Sequence, residues 1–218
     1  MKKYEILYRD EDLCVIHKRA GLAVQSARAS VPDLMSMLRN DLLEEGMKNP
    51  YLGLVNRLDQ PVEGILLVAF NEKAAADLSR QVADHIHMEK WYQALVCGKP
   101  SAKSGTLVDY LLKDARNNLS KVVPEGTRGS KRSELTYEVL ESWEDQTLLK
   151  IRLLTGRHHQ IRVQFASRRH PLWGDGKYGS HFKGTIALQS ARLCFLHPET
   201  EEPMEFALEK PDTAPWNV

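Results

Sequence analysis

The segment Leu54–Phe70, which reads LVNRLDQPVEGILLVAF, constrains the fold more than any other part of this sequence. It places the polar run Asn56–Asp59 before a Gln-Pro turn, and it closes with the apolar run Gly64–Val68, which is long enough for a buried strand. An arginine two residues before an aspartate, followed by a proline and a glycine, indicates a functional loop held by sheet strands. The alternative is a surface turn with a local Arg57–Asp59 ion pair.

A second polar cluster lies in Leu153–Gly179, about a hundred residues further on. Thr155 and Gly156 end an apolar run, and Arg157, His158, His159, Gln160 and Arg162 follow in quick succession. These side chains alternate with apolar ones, which predicts a positively charged wall beside a core. A glycine-rich turn, Gly174-Asp175-Gly176, closes the segment.

Hydrophobic patterning predicts more strands than helices. The helices are one capped by Ser30 and ended by Gly46, one capped by Asn71, and one near residues 158–168. Several neighbouring strands are joined too briefly for crossover helices, which favours a mainly antiparallel α+β sheet. A loop-rich hairpin is expected over residues 113–132. The predicted strands are 4–8, 13–17, 64–70, 90–97, 133–140, 147–154, 185–189, 191–196 and 203–208.

The composition is that of a globular protein of one large domain or two small lobes, with 218 residues of which 42% are hydrophobic. No apolar run approaches the roughly 18 residues of a membrane span, and the first residues lack the apolar stretch of a secretory signal. We therefore expect a cytoplasmic protein that does not contact a membrane. Its three isolated cysteines, Cys14, Cys97 and Cys194, are expected to be buried free thiols.

Four separated motifs, in this order, resemble the RluA family of pseudouridine synthases. They are Asn56–Asp59 with Val62–Gly64, Lys90-Trp91-Tyr92, Gly156–Arg162 and His170–Gly179, and the resemblance covers nearly the whole chain. It implies an α+β pseudouridine synthase fold: a long, bent, mainly antiparallel mixed sheet flanked by helices, with a central RNA-binding cleft. It further implies a single catalytic domain over residues 1–218, without the N-terminal S4-type domain that is frequent in this family.

The resemblance implies an isomerase that converts uridine to pseudouridine in ribosomal or transfer RNA. The family's essential aspartate corresponds to Asp59, which could act as nucleophile or as base. Tyr92 takes the position of the active-site tyrosine, which stacks on uracil and can assist removal of the C5 proton. Arg162, with Arg157 as the second choice, takes the position of the arginine that keeps the aspartate ionised.

Further residues are expected to bind the substrate. Arg57 could enter the space left by a flipped nucleotide, and its alternative is a salt bridge to a neighbouring acid. Ile161 would form an apolar wall of the base pocket or belong to the core. Arg157, His159 and Gln160 complete the predicted binding set. Because the net charge is only +1, RNA affinity must come from local basic clusters such as Lys131-Arg132, unless these are merely solvated faces.

The reaction is an isomerisation, so no cofactor is expected. His85-x-His87 and His158-His159 lack the cysteine or carboxylate partners of a zinc site, and we expect no metal. We expect the protein to act as a monomer. A glycoside hydrolase would need two working carboxylates, where this sequence offers basic groups.

Four positions depart from the family pattern. Asn56 replaces a histidine, Val62 and Glu63 replace a Thr-Ser pair, and Gln164 replaces another histidine. These departures leave open a catalytically weak or silent RNA-binding protein on the same fold.

Overall fold

The computed structural model describes residues 3–26, 31–84 and 86–217. The chain forms two compact units. The first unit comprises the chain up to Glu89 together with Ser190–Leu208, and the second comprises Lys90–Gln189 together with the segment from Glu209 onward. No helix in these described ranges has both the length and the apolar character needed to cross a membrane.

The described elements are strands of 2 to 12 residues and three α-helices. The helices are α1 (Leu34–Glu44), α2 (Glu72–Asp84) and α3 (Gln160–Ala166), and a 3₁₀ turn covers Gly176–Tyr178. The strands are β1 (Tyr4–Arg9), β2 (Leu13–Lys18), β3 (Gly53–Leu54), β4 (Glu63–Ala69), β5 (Glu89–Cys97), β6 (Ser104–Asp114), β7 (Leu119–Val123), β8 (Lys131–Ser142), β9 (Gln146–Leu153), β10 (Leu188–Leu196) and β11 (Pro203–Ala207).

In the first unit the strand order is β1, β2, β4, β10, with β3 paired to β4 and β11 paired to β10. The pairings of β1 with β2, β2 with β4, β3 with β4 and β10 with β11 are antiparallel. Because β2 and β4 are apolar over nearly their whole lengths, both of their faces can be buried. The core packs these strands against α2 and includes Leu13, Val15, Ile65, Leu67, Leu78, Leu193 and Phe195.

The second unit has the strand order β5, β9, β8, β6, β7, and each of these pairings is antiparallel. Tyr137 of β8 contacts Phe165 of α3 edge to face, with ring centroids 5.5 Å apart. Leu95 and Leu148 join Ala187 and Trp216 in a buried cluster. This unit is therefore an antiparallel sheet with α3 packed on its face.

The predicted fold class is confirmed, since antiparallel strands dominate and the helices are few. The prediction of two strands at 185–189 and 191–196 is wrong, because one strand, β10, covers most of this region. Ser190 falls between the two predicted strands, yet Gln189 and Ser190 are both almost completely buried within β10. A buried polar pair inside a strand cannot be distinguished from a turn by hydrophobicity alone.

The helix caps agree with the sequence at one of two predicted positions. Asn71 caps α2, because its Oδ1 accepts a hydrogen bond from Ala74 N at 2.8 Å. Ser30, predicted to cap α1, lies outside the described residues. The described cap of α1 is Asp33, whose carboxylate accepts from the backbone N–H of Ser36 at 2.8 Å.

Candidate functional site

Asn56 fixes the start of the loop that carries Asp59. Val55 N donates to Leu67 O at 3.0 Å, so the pairing of β3 with β4 extends one residue further. The Asn56 side chain then continues this ladder, because its Oδ1 accepts from Leu67 N at 2.8 Å and its Nδ2 donates to Ile65 O at 3.3 Å. The family's histidine is therefore replaced here by a residue that imitates a peptide group.

The three residues after Asn56 alternate between solvent and core. Arg57 is exposed, Leu58 is buried and Asp59 is partly exposed. The Asp59 carbonyl accepts a hydrogen bond from Val62 N at 3.0 Å, which closes a four-residue turn. Val62 is almost completely buried and ties the turn to the core beneath it. The exposure of Arg57 is compatible with the predicted RNA contact.

Lys18 lies under this turn, fully buried at the end of β2. Its ammonium donates to three backbone carbonyls: Leu22 O at 2.8 Å, Arg19 O at 3.1 Å and Gln60 O at 3.2 Å. Two further bonds join Gln60 to Gly21, one from each residue's N–H group to the other's main-chain carbonyl. Lys18 and the segment directly after it are thus cross-linked to Gln60, the residue that follows Asp59.

The charge of Lys18 also bears on the unusual Glu63. Burial lowers the pKa of Lys18 to about 8, while the negative charges of Glu63 and Asp59 act in the opposite direction. Lys18 therefore offsets part of the negative charge that Glu63 adds beside Asp59. Lys18 is not among the site residues predicted from the sequence; the available signal was a lysine at the end of a mostly apolar strand.

Tyr92 and Trp91 face opposite sides of β5, as predicted. Tyr92 is buried and pairs with Ile151 of β9. Trp91 lies on the other side, where Lys150 Nζ is 4.7 Å and Arg152 Cζ is 5.7 Å from its ring centroid. The buried side of β5 thus carries the tyrosine that resembles the family's active-site residue.

Arg162 is held by a buried carboxylate that the sequence analysis did not single out for this role. Its Nε donates to Asp175 Oδ2 at 2.6 Å and its Nη2 donates to Oδ1 at 2.8 Å. The side chains are 3% and 0% exposed, and Arg162 also lies over the ring of Tyr178, 5.2 Å from its centroid. The expected pairing of Arg162 with Asp59 stays a prediction.

The glycine-rich turn is what places Asp175 beside Arg162. Asp175 stands at the cap position of the 3₁₀ turn, yet its side chain does not cap that turn. Gly174 has φ +77°, and a Cβ there would lie 2.4 Å from Thr185 O. Only glycine fits this position, so the turn requires glycine for a structural reason.

The loop before α3 is stabilised by Gln160. Its Oε1 accepts from Thr155 Oγ1 at 2.8 Å and from Arg157 N at 3.0 Å, and its Nε2 donates to Glu134 O at 3.0 Å. Arg157 is exposed and its Nε donates to Arg132 O at 3.0 Å. A direct substrate contact by Gln160 or Arg157 stays a prediction.

His159 adopts a left-handed backbone conformation, with φ +53°, at the start of α3. Its Nδ1 lies 3.0 Å from the Tyr178 hydroxyl, and its ring stacks on His158 at a centroid distance of 3.8 Å. Ile161 is 4% exposed, so the structure places it among buried apolar side chains. The roles of both His159 and Ile161 in binding substrate stay predictions.

One group of possible metal ligands occurs among the described residues: Asp10, Asp12 and His197. His197 Nδ1 accepts hydrogen bonds from the backbone N–H groups of Glu199 and Thr200, both at 3.2 Å. Its Nε2 must then carry the proton that it donates to Asp10 Oδ2 at 2.9 Å. Neither ring nitrogen offers a lone pair to a metal, so this group stabilises the fold of the first unit.

The class of protein follows from comparison with known families. A family model described as "RNA pseudouridylate synthase" matches residues 12–167. This match covers the Asp59 turn, Tyr92 and Arg162. The chain belongs to the RNA pseudouridylate synthase family, and the resemblance found in its four motifs is confirmed.

Curated relatives support the same assignment. The chain is 34% identical over 209 residues to ribosomal large subunit pseudouridine synthase C of Vibrio vulnificus, an alignment that covers 92% of this chain and 64% of that protein. It is 33% identical over 227 residues to ribosomal large subunit pseudouridine synthase D of Zymomonas mobilis, covering 95% and 69%. The chain thus spans about two thirds of the length of these relatives.

Two solved structures share the fold. Human RNA pseudouridylate synthase domain containing 1 superposes with a TM-score of 0.77 at 24% identity, covering 96% of this chain and 84% of that one. Human RNA pseudouridylate synthase domain containing 4 gives the same TM-score at 21% identity, covering 94% and 88%. At these identities the likeness establishes the fold alone.

Proposed function

We propose that this chain is an RNA pseudouridine synthase that isomerises uridine to pseudouridine in ribosomal or transfer RNA. The observation that carries this proposal is the Asp59 turn, which Asn56 joins to β4 and Lys18 joins to the chain after β2. Such a turn holds a partly exposed carboxylate at a fixed place, as catalysis by a positioned group requires. The names of the relatives support ribosomal RNA as the first class to test.

The isomerisation breaks the bond between C1′ of ribose and N1 of uracil and forms a bond between C1′ and C5. The C5 proton leaves and N1 gains a proton, so atoms balance and no electron donor is required. Asp59 would act as nucleophile or as base, and the residues leave both possibilities open. In the same proposal Tyr92 stacks on the uracil, Arg162 keeps the carboxylate ionised, and Ile161 forms an apolar wall.

RNA binding would rest on local basic groups, because the whole chain carries a net charge of only +1. Arg57, exposed two residues before Asp59, is suited to fill the space of a flipped nucleotide. Arg157 and His159, which precede α3, would contact the same RNA strand. We further propose that the chain acts as one catalytic domain, as a monomer and in the cytoplasm.

A catalytically silent RNA-binding protein is the second candidate, because of the substitutions at positions 56, 62 and 63. The structure weakens that argument at each of them. Asn56 completes the ladder of β4, Val62 is buried, and Glu63 lies within the field of the Lys18 ammonium. The turn is thus stabilised without the family's usual residues, which favours the enzyme.

The decisive experiment maps pseudouridine in total RNA from cells with and without the gene, and from cells that carry only Asp59→Asn. We expect at least one uridine to be modified only when the unaltered gene is present. Asparagine preserves the size of the side chain but can neither attack carbon nor accept the proton. A site that persists with a folded Asp59→Asn protein would remove Asp59 from the mechanism, and an unchanged map without the gene would favour the silent alternative.

A further inference from the structure

Two lysines are buried among the residues that the structure describes, and they differ in what surrounds their ammonium groups. Lys18 is fully buried and donates to three backbone carbonyls. Lys90, on β5, is 5% exposed, and its ammonium has no hydrogen bond or ion pair with any residue in the described ranges 3–26, 31–84 and 86–217. Lys90 is therefore a cation withdrawn from water without an anion to replace the lost hydration.

Such a group is costly to keep. A buried ammonium without partners destabilises a fold, and natural cores seldom retain one without a function. Burial accordingly lowers the pKa of Lys90 below its ordinary value, and no neighbouring charge is found to oppose the shift. A leucine or methionine would fill the same space at no such cost, so the fold itself gives no reason for the charge.

The position of Lys90 links it to the proposed active site. It precedes Tyr92 by two residues, and since side chains alternate along a strand, both lie on the same buried side of β5. Its Nζ is near Gly156, where an added Cβ would lie 4.0 Å away. Gly156 begins the basic run that contains Arg157 and leads into α3.

Lys90 is 5% exposed, so the described residues do not enclose it completely. Its ammonium offers three N–H donors to an incoming anion.

We propose that Lys90 binds a phosphate group of the RNA strand, next to the nucleotide whose base stacks on Tyr92. This inference rests on the proposed function for its ligand, because RNA supplies a phosphate for every nucleotide. A phosphate would offset the buried charge and form charge-assisted hydrogen bonds with it. Lys90 thus becomes a substrate-binding residue that is paired only in the complex.

The test compares three variants on an unmodified transcript of large-subunit ribosomal RNA. Lys90→Met removes the charge and keeps a long, unbranched side chain, and Lys90→Arg preserves the charge. Lys103→Met removes an exposed lysine of the same unit and serves as the control. Binding is measured by filter retention over a series of salt concentrations, and folding is measured by thermal melting.

We expect Lys90→Met to weaken binding at low salt roughly tenfold. We also expect it to reduce the slope of log affinity against log salt by about 0.7 to 0.9, the share of one phosphate contact. Lys90→Arg should keep most of the slope, and Lys103→Met should alter it less than Lys90→Met. Since an unpaired buried charge is removed, the melting temperature of Lys90→Met should equal or exceed that of the unaltered protein.

Two results would overturn the inference. An unchanged salt slope in Lys90→Met, even with reduced turnover, would mean that Lys90 does not meet a phosphate. A lower melting temperature would mean that the ammonium has a stabilising partner within the protein. Tritium release from C5-labelled uridine by the unaltered chain is measured in parallel and tests the proposed isomerisation separately.

Discussion

Arg162 and Asp175 form a two-point ion pair in the interior of the second unit, with N–O distances of 2.6 and 2.8 Å. The same fork geometry occurs on the surface of the first unit, where Arg192 binds Glu205 at 2.7 and 2.8 Å. The buried pair is 3% and 0% exposed, whereas the surface pair is 36% and 55% exposed. Because the two pairs have similar geometry and differ in burial, comparing them shows how burial affects the stability that an ion pair contributes.

We predict that Asp175→Asn lowers the free energy of unfolding by about 3 to 5 kcal/mol, because it leaves the Arg162 guanidinium buried beside a neutral amide. The measurement is chemical denaturation of the purified variant. Turnover should fall as well, since Arg162 would lose the group that orients it.

The control for that prediction is Glu205→Gln, which neutralises the surface pair. Water solvates both partners there, so the unfolding free energy should change far less than in Asp175→Asn. Equal decreases in unfolding free energy in the two variants would mean that burial does not determine how much the Arg162–Asp175 ion pair stabilises the fold.

Gly64, which follows the Asp59 turn, is predicted to tolerate no side chain. Its φ is +131°, and a Cβ would lie 2.4 Å from Ser190 O and 2.5 Å from Ser190 N. Both atoms belong to backbone, so β4 or β10 would have to shift. Gly64→Ala should therefore destabilise the protein by at least about 2 kcal/mol, measured by thermal melting.

Gly46→Ala separates the two causes of this loss. Gly46 has φ +93°, but no atom of the described residues lies within 4 Å of an added Cβ. It should thus incur only the conformational cost, about 1 to 2 kcal/mol. If Gly46→Ala were as damaging as Gly64→Ala, the close approach of Ser190 would not matter.

Most strands of this fold could be predicted because their apolar runs are local. β3 and the 11-residue β6 are absent from the predicted strands, and β7 lies in the segment predicted as a loop-rich hairpin. β2 and β4 are apolar almost throughout, and β5 alternates cleanly over its first half, so each is recognisable within a short window. The polar motifs around Asp59 and Arg162 were equally visible. They contain residue types that a core strand does not need.

The residues that hold the site residues in place could not be predicted, because each of them acts through a contact between positions that are distant in the sequence. Lys18 meets Gln60 across 42 residues, and Arg162 meets Asp175 across 13. In sequence, a lysine at a strand end suggests a solvated residue and Gly-Asp-Gly suggests an ordinary turn. Only the folded backbone shows that carbonyls surround the lysine and that the turn delivers a carboxylate.

Asn56 gives a prediction about the departure from the family motif. Asn56→Asp would keep the acceptor for Leu67 N but would replace the donor to Ile65 O by a second acceptor. Two oxygens would then face each other in a buried site, so we expect a loss of about 1 to 3 kcal/mol in unfolding free energy. The measurement is chemical denaturation near pH 7. A variant as stable as the parent would show that the Asn56–Ile65 bond contributes nothing.

The last prediction concerns the pH dependence that Lys18 imposes on stability. Burial lowers the pKa of Lys18 from 10.5 to about 8 in the folded protein. Between these two values the unfolded chain holds a proton that the folded chain has released. Stability linked to Lys18 must therefore rise with pH across this window, by at most about 1.4 kcal/mol per pH unit. Below pH 8 both states are protonated and the contribution is constant.

Lys18→Met isolates this contribution from other groups that titrate above pH 8. The unfolding free energy of the unaltered protein minus that of Lys18→Met should increase as the pH rises from about 8 to 10.5, because methionine binds no proton. Burial raises the pKa of Cys14 to about 12, which opposes this trend in both proteins equally and so cancels in the difference. The exposed Lys103→Met provides the baseline for removing a surface charge. A difference that stays flat over this range would show that the ammonium beneath the Asp59 turn titrates as it does in water.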